Sequence, residues 1–296
     1  KKFDSINPNN LRIGVKMKDY QLGVYEKSMP EELDWRERLS IAKECGFDFL
    51  ELSIDETDQR LARLEWTLEE RLELLNLTKK LGMPIRSICL SGHRRYPLGH
   101  KDLEMQKRSL EIGYKAVDFA SDLGIRIIQL AGYDVYYDEG DTETEQNFAK
   151  NLRLMTEYAA SKEVTLGFET METPFMDTVE KAMHYVNLIQ NAWLGVYPDI
   201  GNLTNAAKIY KNEVNADLLK GKGHIFASHL KETIPGHYRE IPFGTGHTEF
   251  VKNIECLAEM GIRSFVGEFW YVGQADWKKD VIFANEFLRE KLDQVF

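Results

Sequence analysis

Eight short apolar runs recur along the chain, and the segments between them carry apolar residues at helical spacing. Each run has about the length of a buried strand. The runs occupy residues 21–28, 48–55, 84–91, 126–133, 165–172, 194–201, 225–233 and 264–270. Several helical segments end in a glycine, which tolerates the left-handed conformation that closes a helix; these glycines are Gly46, Gly82, Gly124 and Gly261. The alternation predicts strands and helices in regular succession.

Eight strands alternating with eight helices over roughly 275 residues are typical of a (β/α)8 TIM barrel, an α/β fold that forms a single domain. A doubly wound sheet more often has about five to seven strands and a glycine-rich first turn. Neither GxGxxG nor GxxxxGK[ST] occurs in the chain. We therefore predict one catalytic barrel domain over residues 21–296. Residues 1–20 are polar and show no period, so we expect an N-terminal extension that is either disordered or added in cloning.

The balance of charges excludes some classes of partner. The chain has 38 Lys and Arg against 48 Asp and Glu, a net charge of −10, whereas a nucleic-acid-binding protein needs a basic face. No apolar run approaches the length of a membrane span, and no secretory signal pattern opens the chain. The three cysteines lack CxxC spacing and lie in apolar segments, so we expect buried, reduced thiols in a cytoplasmic protein.

In TIM barrels the catalytic residues lie at the C-terminal ends of the strands. Each of the last four predicted strands has one residue there that can bind a metal ion: Glu169, Asp199, His229 and Glu268. A buried carboxylate is costly unless it is paired or bound to a cation. Four such residues from adjacent strands therefore predict one divalent metal ion. Three carboxylates and one imidazole suit Zn²⁺, Mn²⁺, Co²⁺ or Mg²⁺.

The loop after the third predicted strand has a different chemistry, because it contains His93, Arg94 and Arg95 in succession. Lys231, on the seventh predicted strand, should share its inward face with the predicted histidine ligand. These cationic groups suit a substrate phosphate or carboxylate. Glu51, on the second predicted strand, is expected inside the barrel, where it either binds a substrate hydroxyl or pairs with Arg94 or Lys231.

Five long motifs resemble one family of enzymes. They are ELSIDETD at residues 51–58, CLSGHRRYPLG at 89–99, IQLAGYDVYY at 128–137, YPDIGN at 197–202 and PFGTG at 242–246. The sequence resembles the L-xylulose 5-phosphate 3-epimerases, also called L-ribulose 5-phosphate 3-epimerases, of the xylose-isomerase-like TIM-barrel superfamily. The resemblance runs from about residue 21 to the C-terminus.

The resemblance implies a metal-dependent enzyme that interconverts L-xylulose 5-phosphate and L-ribulose 5-phosphate in L-ascorbate degradation. The metal ligands of that family correspond to the same four residues of this sequence. The resemblance also implies that two of them, Glu169 and Glu268, are the acid/base pair. Inversion at C3 through an enediolate takes a proton from one face and returns one to the other, so two groups must flank the carbon. Asn202 is a further expected substrate-binding residue. We also expect a homodimer or higher homo-oligomer with no nucleic-acid or membrane partner.

One departure favours a phosphorylated substrate. Related epimerases of free ketoses hold sugar hydroxyls with an extra Glu, His and Arg, and the matching positions of this sequence lack them. The main alternative is an aldose–ketose isomerase of the hexulose-6-phosphate isomerase type on the same barrel. A metal-dependent phosphodiesterase or endonuclease fits less well, because such enzymes use more histidines and a basic face. A non-catalytic sugar-phosphate sensor is a further alternative.

Overall fold

The computed structural model describes residues 19–296, which contain eight strands and ten α-helices. The strands are β1 Gln21–Tyr25, β2 Phe49–Ile54, β3 Ile85–Leu90, β4 Ile127–Ala131, β5 Thr165–Glu169, β6 Leu194–Val196, β7 Ser228–Leu230 and β8 Ser264–Gly267. The helices are α1 Trp35–Glu44, α2 Asp58–Leu61, α3 Leu68–Leu81, α4 Leu103–Asp122, α5 Thr142–Ser161, α6 Val179–Ile189, α7 Ile200–Tyr210, α8 Val214–Leu218, α9 Phe250–Glu259 and α10 Trp277–Asp293.

The eight strands form one parallel sheet that closes into a barrel. Their order is β6-β5-β4-β3-β2-β1-β8-β7, so β6 and β7 are the two ends of the sheet. Two isolated parallel bridges, Val196 with Ile225 and Asp199 with His229, join these ends. The predicted (β/α)8 TIM barrel is confirmed, with β8 paired to β1 as closure of a barrel requires.

Strand β2 shows how side chains divide between two layers. Leu50 and Ile54 belong to the main core cluster between the strands and the helices, whereas Phe49 belongs to a smaller cluster inside the barrel. Because side chains alternate along a strand, Glu51 shares the inward face with Phe49. Glu51 is fully buried there.

Local signals set several helix boundaries. Helix α3 begins with a capping box, in which the Thr67 hydroxyl accepts from the Glu70 backbone N–H and the Glu70 carboxylate accepts from the Thr67 backbone N–H. It ends at Gly82, whose φ of 60° is left-handed. The other three predicted closing glycines also have positive φ; they are Gly46, Gly124 and Gly261.

The structure adds two short helices, α2 and α8, to the eight that the pattern predicts. It also shortens the strands: β6 and β7 have three residues each. The residues beyond these short strands turn into the loops at the mouth of the barrel. Asp199 consequently caps the N-terminus of α7 and is not a strand residue.

The predicted extension, residues 1–20, lies outside the described residues except for Asp19 and Tyr20. The Tyr20 ring lies 5.2 Å from that of Phe296, and its hydroxyl donates to Asp293 Oδ1 at 2.5 Å. The three cysteines are buried and free, as predicted. Within residues 19–296, no helix is both long and apolar enough to cross a membrane.

Candidate metal centre and active site

Four elements bring one polar side chain each to the C-terminal mouth of the barrel. Glu169 is the last residue of β5, His229 is the middle residue of β7, and Glu268 directly follows β8. Asp199 caps α7, and its Oδ1 accepts from the Asn202 backbone N–H at 2.8 Å, which leaves Oδ2 for the barrel mouth. All four side chains are buried.

The four side chains converge on one point. Each offers one ligand atom, and these atoms all lie within 4.8 Å of one another. The Nδ1 atom of His229 is 3.5 Å from Glu169 Oε1, 3.8 Å from Asp199 Oδ2 and 3.3 Å from Glu268 Oε2. The structure thus brings together the four residues that the spacing of strand ends predicts as ligands.

This donor set fits a divalent cation. Asp199 Oδ2 and Glu268 Oε2 are both buried; each forms ion pairs with Lys231 Nζ, at 3.0 Å, and with His229 Nδ1, but neither has a hydrogen-bond partner among the described residues. Buried carboxylate oxygens that lack donors are costly, and a cation satisfies them. Three carboxylates and one imidazole are ligands that Zn²⁺, Mn²⁺ and Co²⁺ accept, and the oxygen-rich set also suits Mg²⁺.

The surroundings shift the pKa values of the two glutamates in opposite directions. Burial raises the pKa of Glu169, and the negative charge of Glu268 raises it further. Burial also raises the pKa of Glu268, but Lys231 and His229 outweigh burial and hold that pKa well below its usual range. Burial raises the pKa of Asp199 to about 8, against the attraction of Lys231. Neighbouring carboxyl groups with opposite shifts are typical of acid/base pairs.

A cavity lies at the mouth of the barrel beside the four candidate ligands, and Glu169 and Glu268 form part of its wall. Its wall also contains four cationic side chains, which are Lys27, Arg94, Lys231 and Arg239. Three aromatic residues line the same space: Tyr25, Tyr238 and Trp270. The cavity therefore combines carboxylates that can exchange protons with positive charges that can bind an anion.

The three predicted anion-binding residues of the loop after β3 have different surroundings. The Arg94 side chain is 12% exposed and lies over the Tyr136 ring at 4.8 Å, and its buried Nε has no hydrogen-bond partner within residues 19–296. The Arg95 side chain is 46% exposed and pairs with Asp58 at 2.8 Å. His93 is buried with Nε2 3.0 Å from the Ser109 carbonyl oxygen, and burial lowers its pKa to about 4. Only Arg94 reaches the cavity, because the other two side chains turn to solvent or to the core.

Lys231 and Asn202 do lie at the cavity, whereas Glu51 does not. Lys231 bridges two of the candidate ligands, and their negative charges outweigh the effect of burial and raise its pKa above its usual value. The Asn202 amide donates to the Thr170 carbonyl oxygen at 2.7 Å, and no donor in the described part of the chain reaches its Oδ1. Glu51 contacts neither Arg94 nor Lys231; it lies 2.6 Å from His229 Nε2.

Sequence reasoning missed three charged residues of the cavity wall. Lys27 follows β1 by two positions, so reading the end of the first strand would have found it. Glu172 ends the fifth predicted run; it accepts from the Tyr133 hydroxyl at 2.7 Å and lies 3.6 Å from Arg239. Arg239 lies in the long loop between β7 and α9, where no periodicity indicates which side chains turn inward.

Comparisons with known proteins agree on the fold and on a group of relatives. The sequence profile of the xylose isomerase-like TIM barrel matches residues 39–291. The chain is 43% identical over 276 residues to proteins named L-ribulose-5-phosphate 3-epimerase UlaE from Shigella boydii and Escherichia coli O157:H7, with 93% of this chain and 96% of each relative covered.

Solved structures are similar in fold at low sequence identity. The D-psicose 3-epimerase from Clostridium cellulolyticum H10, solved with D-tagatose, has a TM-score of 0.77 and 15% identity, and the alignment covers 92% of this chain and 99% of that one. A structure described as L-ribulose 3-epimerase has a TM-score of 0.71 and 16% identity, over 93% of this chain and 95% of that one.

Proposed function

The chain belongs to the xylose isomerase-like TIM-barrel family, among relatives named L-ribulose-5-phosphate 3-epimerase, and from this premise we propose that it interconverts L-ribulose 5-phosphate and L-xylulose 5-phosphate. It is a carbohydrate epimerase, an enzyme of the isomerase class. The observation that carries the proposed reaction is the pair Glu169 and Glu268, which meet at one cluster of buried ligands and both line the cavity.

Inversion at C3 requires two proton-transfer groups. C3 lies next to the C2 carbonyl, so removal of its proton gives an enediolate, and the opposite configuration forms when a proton returns to the other face. One carboxylate removes the proton while the other, in its acid form, supplies one. Glu169 and Glu268 come from β5 and from the end of β8, so they can flank a substrate carbon between them. Their roles exchange in the reverse reaction.

The four ligands Glu169, Asp199, His229 and Glu268 would hold the metal ion, which we expect to be Zn²⁺, Mn²⁺, Co²⁺ or Mg²⁺. A divalent cation there supplies Lewis-acid polarisation of the carbonyl and stabilises negative charge on the substrate oxygens. Lys231 lies 3.0 Å from Asp199 and 3.0 Å from Glu268, so its ammonium group adds positive charge where the enediolate forms.

We assign the substrate phosphate to the cationic part of the cavity wall outside the ligand cluster. Arg94 supports this assignment best, because its buried Nε has no hydrogen-bond partner among the described residues and its guanidinium lies over Tyr136. Lys27 and Arg239 are the other cations of this wall. The catalytic domain would span residues 21–296. L-Ascorbate degradation, a cytoplasmic location and a homo-oligomeric state stay predictions.

One assay tests this function. Protein stripped of metal and then supplied with each of the four metals is incubated with L-ribulose 5-phosphate or L-xylulose 5-phosphate, and NMR follows the sugar. We expect each substrate to give the other, and a chelator to stop the reaction. Failure to convert either sugar with any of the four metals would contradict the proposal.

The matched variant is Glu268→Gln, which keeps the side-chain volume and one oxygen for the metal but cannot exchange a proton. We expect turnover to fall by about 10²–10⁴-fold, the usual contribution of a general acid or base. Metal content measured by elemental analysis should be retained in part. A near-normal kcat in this variant would contradict the proton-transfer role.

A further inference from the structure

Glu51 forms a buried chain of hydrogen bonds behind the candidate metal centre. Its Oε2 accepts from the Ser87 hydroxyl at 2.6 Å and from the Tyr197 hydroxyl at 2.9 Å. Its Oε1 lies 2.6 Å from His229 Nε2. All four residues are buried inside the barrel, and Glu51 is not part of the cavity wall. Glu51 therefore does not contact a substrate that is bound in the cavity.

The same geometry gives the two ring nitrogens of His229 different partners. Nε2 faces Glu51, whereas Nδ1 faces the three carboxylates of the ligand cluster at 3.3 to 3.8 Å. Gln129 also lies against the ring, and its amide nitrogen is 3.1 Å from both ring nitrogens, so Gln129 does not distinguish them. Apart from the three candidate ligands at Nδ1, Glu51 is therefore the polar neighbour that distinguishes the two ring nitrogens.

We propose that Glu51 is the positioning residue of the metal centre: its carboxylate accepts a hydrogen bond from the Nε2–H of His229 and so leaves Nδ1 as the ligand atom. This inference rests on the metal centre of the proposed function. A carboxylate acceptor fixes the tautomer and the ring orientation of a histidine ligand and increases its basicity. Ser87 and Tyr197 in turn hold the carboxylate, so the ring is oriented before the metal binds.

Metal affinity is the first test. Glu51→Gln keeps the volume and an acceptor oxygen but loses the charge, and Glu51→Ala loses the acceptor as well. We expect the dissociation constant for Zn²⁺, measured by competition with a chromophoric chelator, to rise by about 10- to 100-fold in the Gln variant and by at least as much in the Ala variant.

The matched control is Ser53→Ala. Ser53 lies two residues farther along β2, is equally buried, and contacts the Tyr25 hydroxyl at 3.2 Å and not the Glu51 chain. Its Zn²⁺ affinity should equal that of the parent protein. Parent-like affinity in Glu51→Gln, which preserves the packing, would overturn the proposal even if the Ala variant does not fold. A parent protein that binds none of the four metals would overturn the metal centre itself.

Histidine NMR gives a readout that a purely structural role would not change. In the zinc-loaded parent protein, long-range proton–nitrogen spectra should show His229 with a protonated Nε2 and a metal-bound Nδ1. The Co²⁺-loaded protein should change its visible absorption on Glu51→Gln substitution, because the histidine ligand loses its fixed orientation. A protonated Nδ1 with metal on Nε2, or an unchanged Co²⁺ spectrum in Glu51→Gln, would contradict the assignment.

Discussion

Arg94 and Arg95 are adjacent in sequence but have different surroundings, which makes them a matched pair for testing the phosphate contact. Arg94 lines the cavity, whereas Arg95 pairs with Asp58 on the surface. We expect Arg94→Ala to raise KM on the order of 10- to 100-fold, the loss of a charge-assisted hydrogen bond, with a smaller effect on kcat. Arg95→Ala should leave both constants near those of the parent. An unchanged KM in Arg94→Ala would dismiss the phosphate assignment.

At the residue scale, the sequence predicted the cluster of candidate metal ligands better than it predicted which cationic side chains line the cavity. Strand ends in a barrel meet at one mouth, so the regular spacing of Glu169, Asp199, His229 and Glu268 was sufficient to bring them together. The direction of a loop side chain depends on packing that no period encodes. His93 was expected at the substrate, but it turns into the core against the Ser109 carbonyl oxygen.

At the scale of elements, the end of β1 is held by a buried carboxylate. Glu26 lies just after β1, is fully buried, and contacts Arg60 Nη1 at 2.8 Å and Arg63 Nη2 at 2.7 Å. It also accepts from the Ser53 backbone N–H of β2 at 2.8 Å. Glu26 therefore links the ends of β1 and β2 to Arg60 in α2 and to Arg63 in the segment that follows α2, next to the cavity residue Lys27.

Removal of the Glu26 charge should destabilise the protein strongly. Glu26→Gln leaves buried guanidinium groups without their anion, so we expect the free energy of unfolding to fall by about 3–5 kcal/mol, measured by urea denaturation. The control is Glu31→Gln, because Glu31 is an exposed partner of the same Arg60 at 3.9 Å. The control should change the free energy of unfolding by less than about 1 kcal/mol.

The contribution of Glu26 to the free energy of unfolding should also depend on pH. Burial raises the pKa of Glu26, but Arg63, Arg60 and Arg38 outweigh burial and lower it from 4.5 to about 2. Because this pKa is lower in the folded state, the ionised Glu26 carboxylate contributes its full stabilising free energy above pH 4.5. This free energy is lost as the pH falls from 4.5 towards 2. The difference in unfolding free energy between the parent and Glu26→Gln should shrink over this range. A difference that stays constant between pH 7 and pH 3 would contradict this account.

Element types were predictable, but element ends were not. The apolar run at residues 194–201 includes Asp199, yet β6 ends at Val196 and Asp199 caps α7. An apolar run continues through the strand into the buried first turn of the next helix, so hydrophobicity alone does not indicate where the strand stops. The position of Asp199 at the mouth was predictable, because the end of a strand and the following cap both lie there.

At the scale of the whole molecule, the net charge of −10 and an anionic substrate are compatible. Exposed charges are screened beyond about 8 Å at physiological ionic strength. The cavity instead has its own cations on its wall, and three of them, Lys27, Arg94 and Arg239, come from loops after three different strands. The barrel itself was predictable from the alternation of strands and helices, whereas this convergence of loops required the structure.

The position of the exchanged proton tests the central claim most directly. The metal-loaded protein is incubated in D₂O with L-ribulose 5-phosphate until the two epimers equilibrate, and NMR locates the deuterium. Two-base inversion by Glu169 and Glu268 predicts deuterium at C3 of both L-ribulose 5-phosphate and L-xylulose 5-phosphate, with none at C1. Deuterium at C1 without label at C3 would contradict the account and indicate an aldose–ketose isomerase on the same barrel.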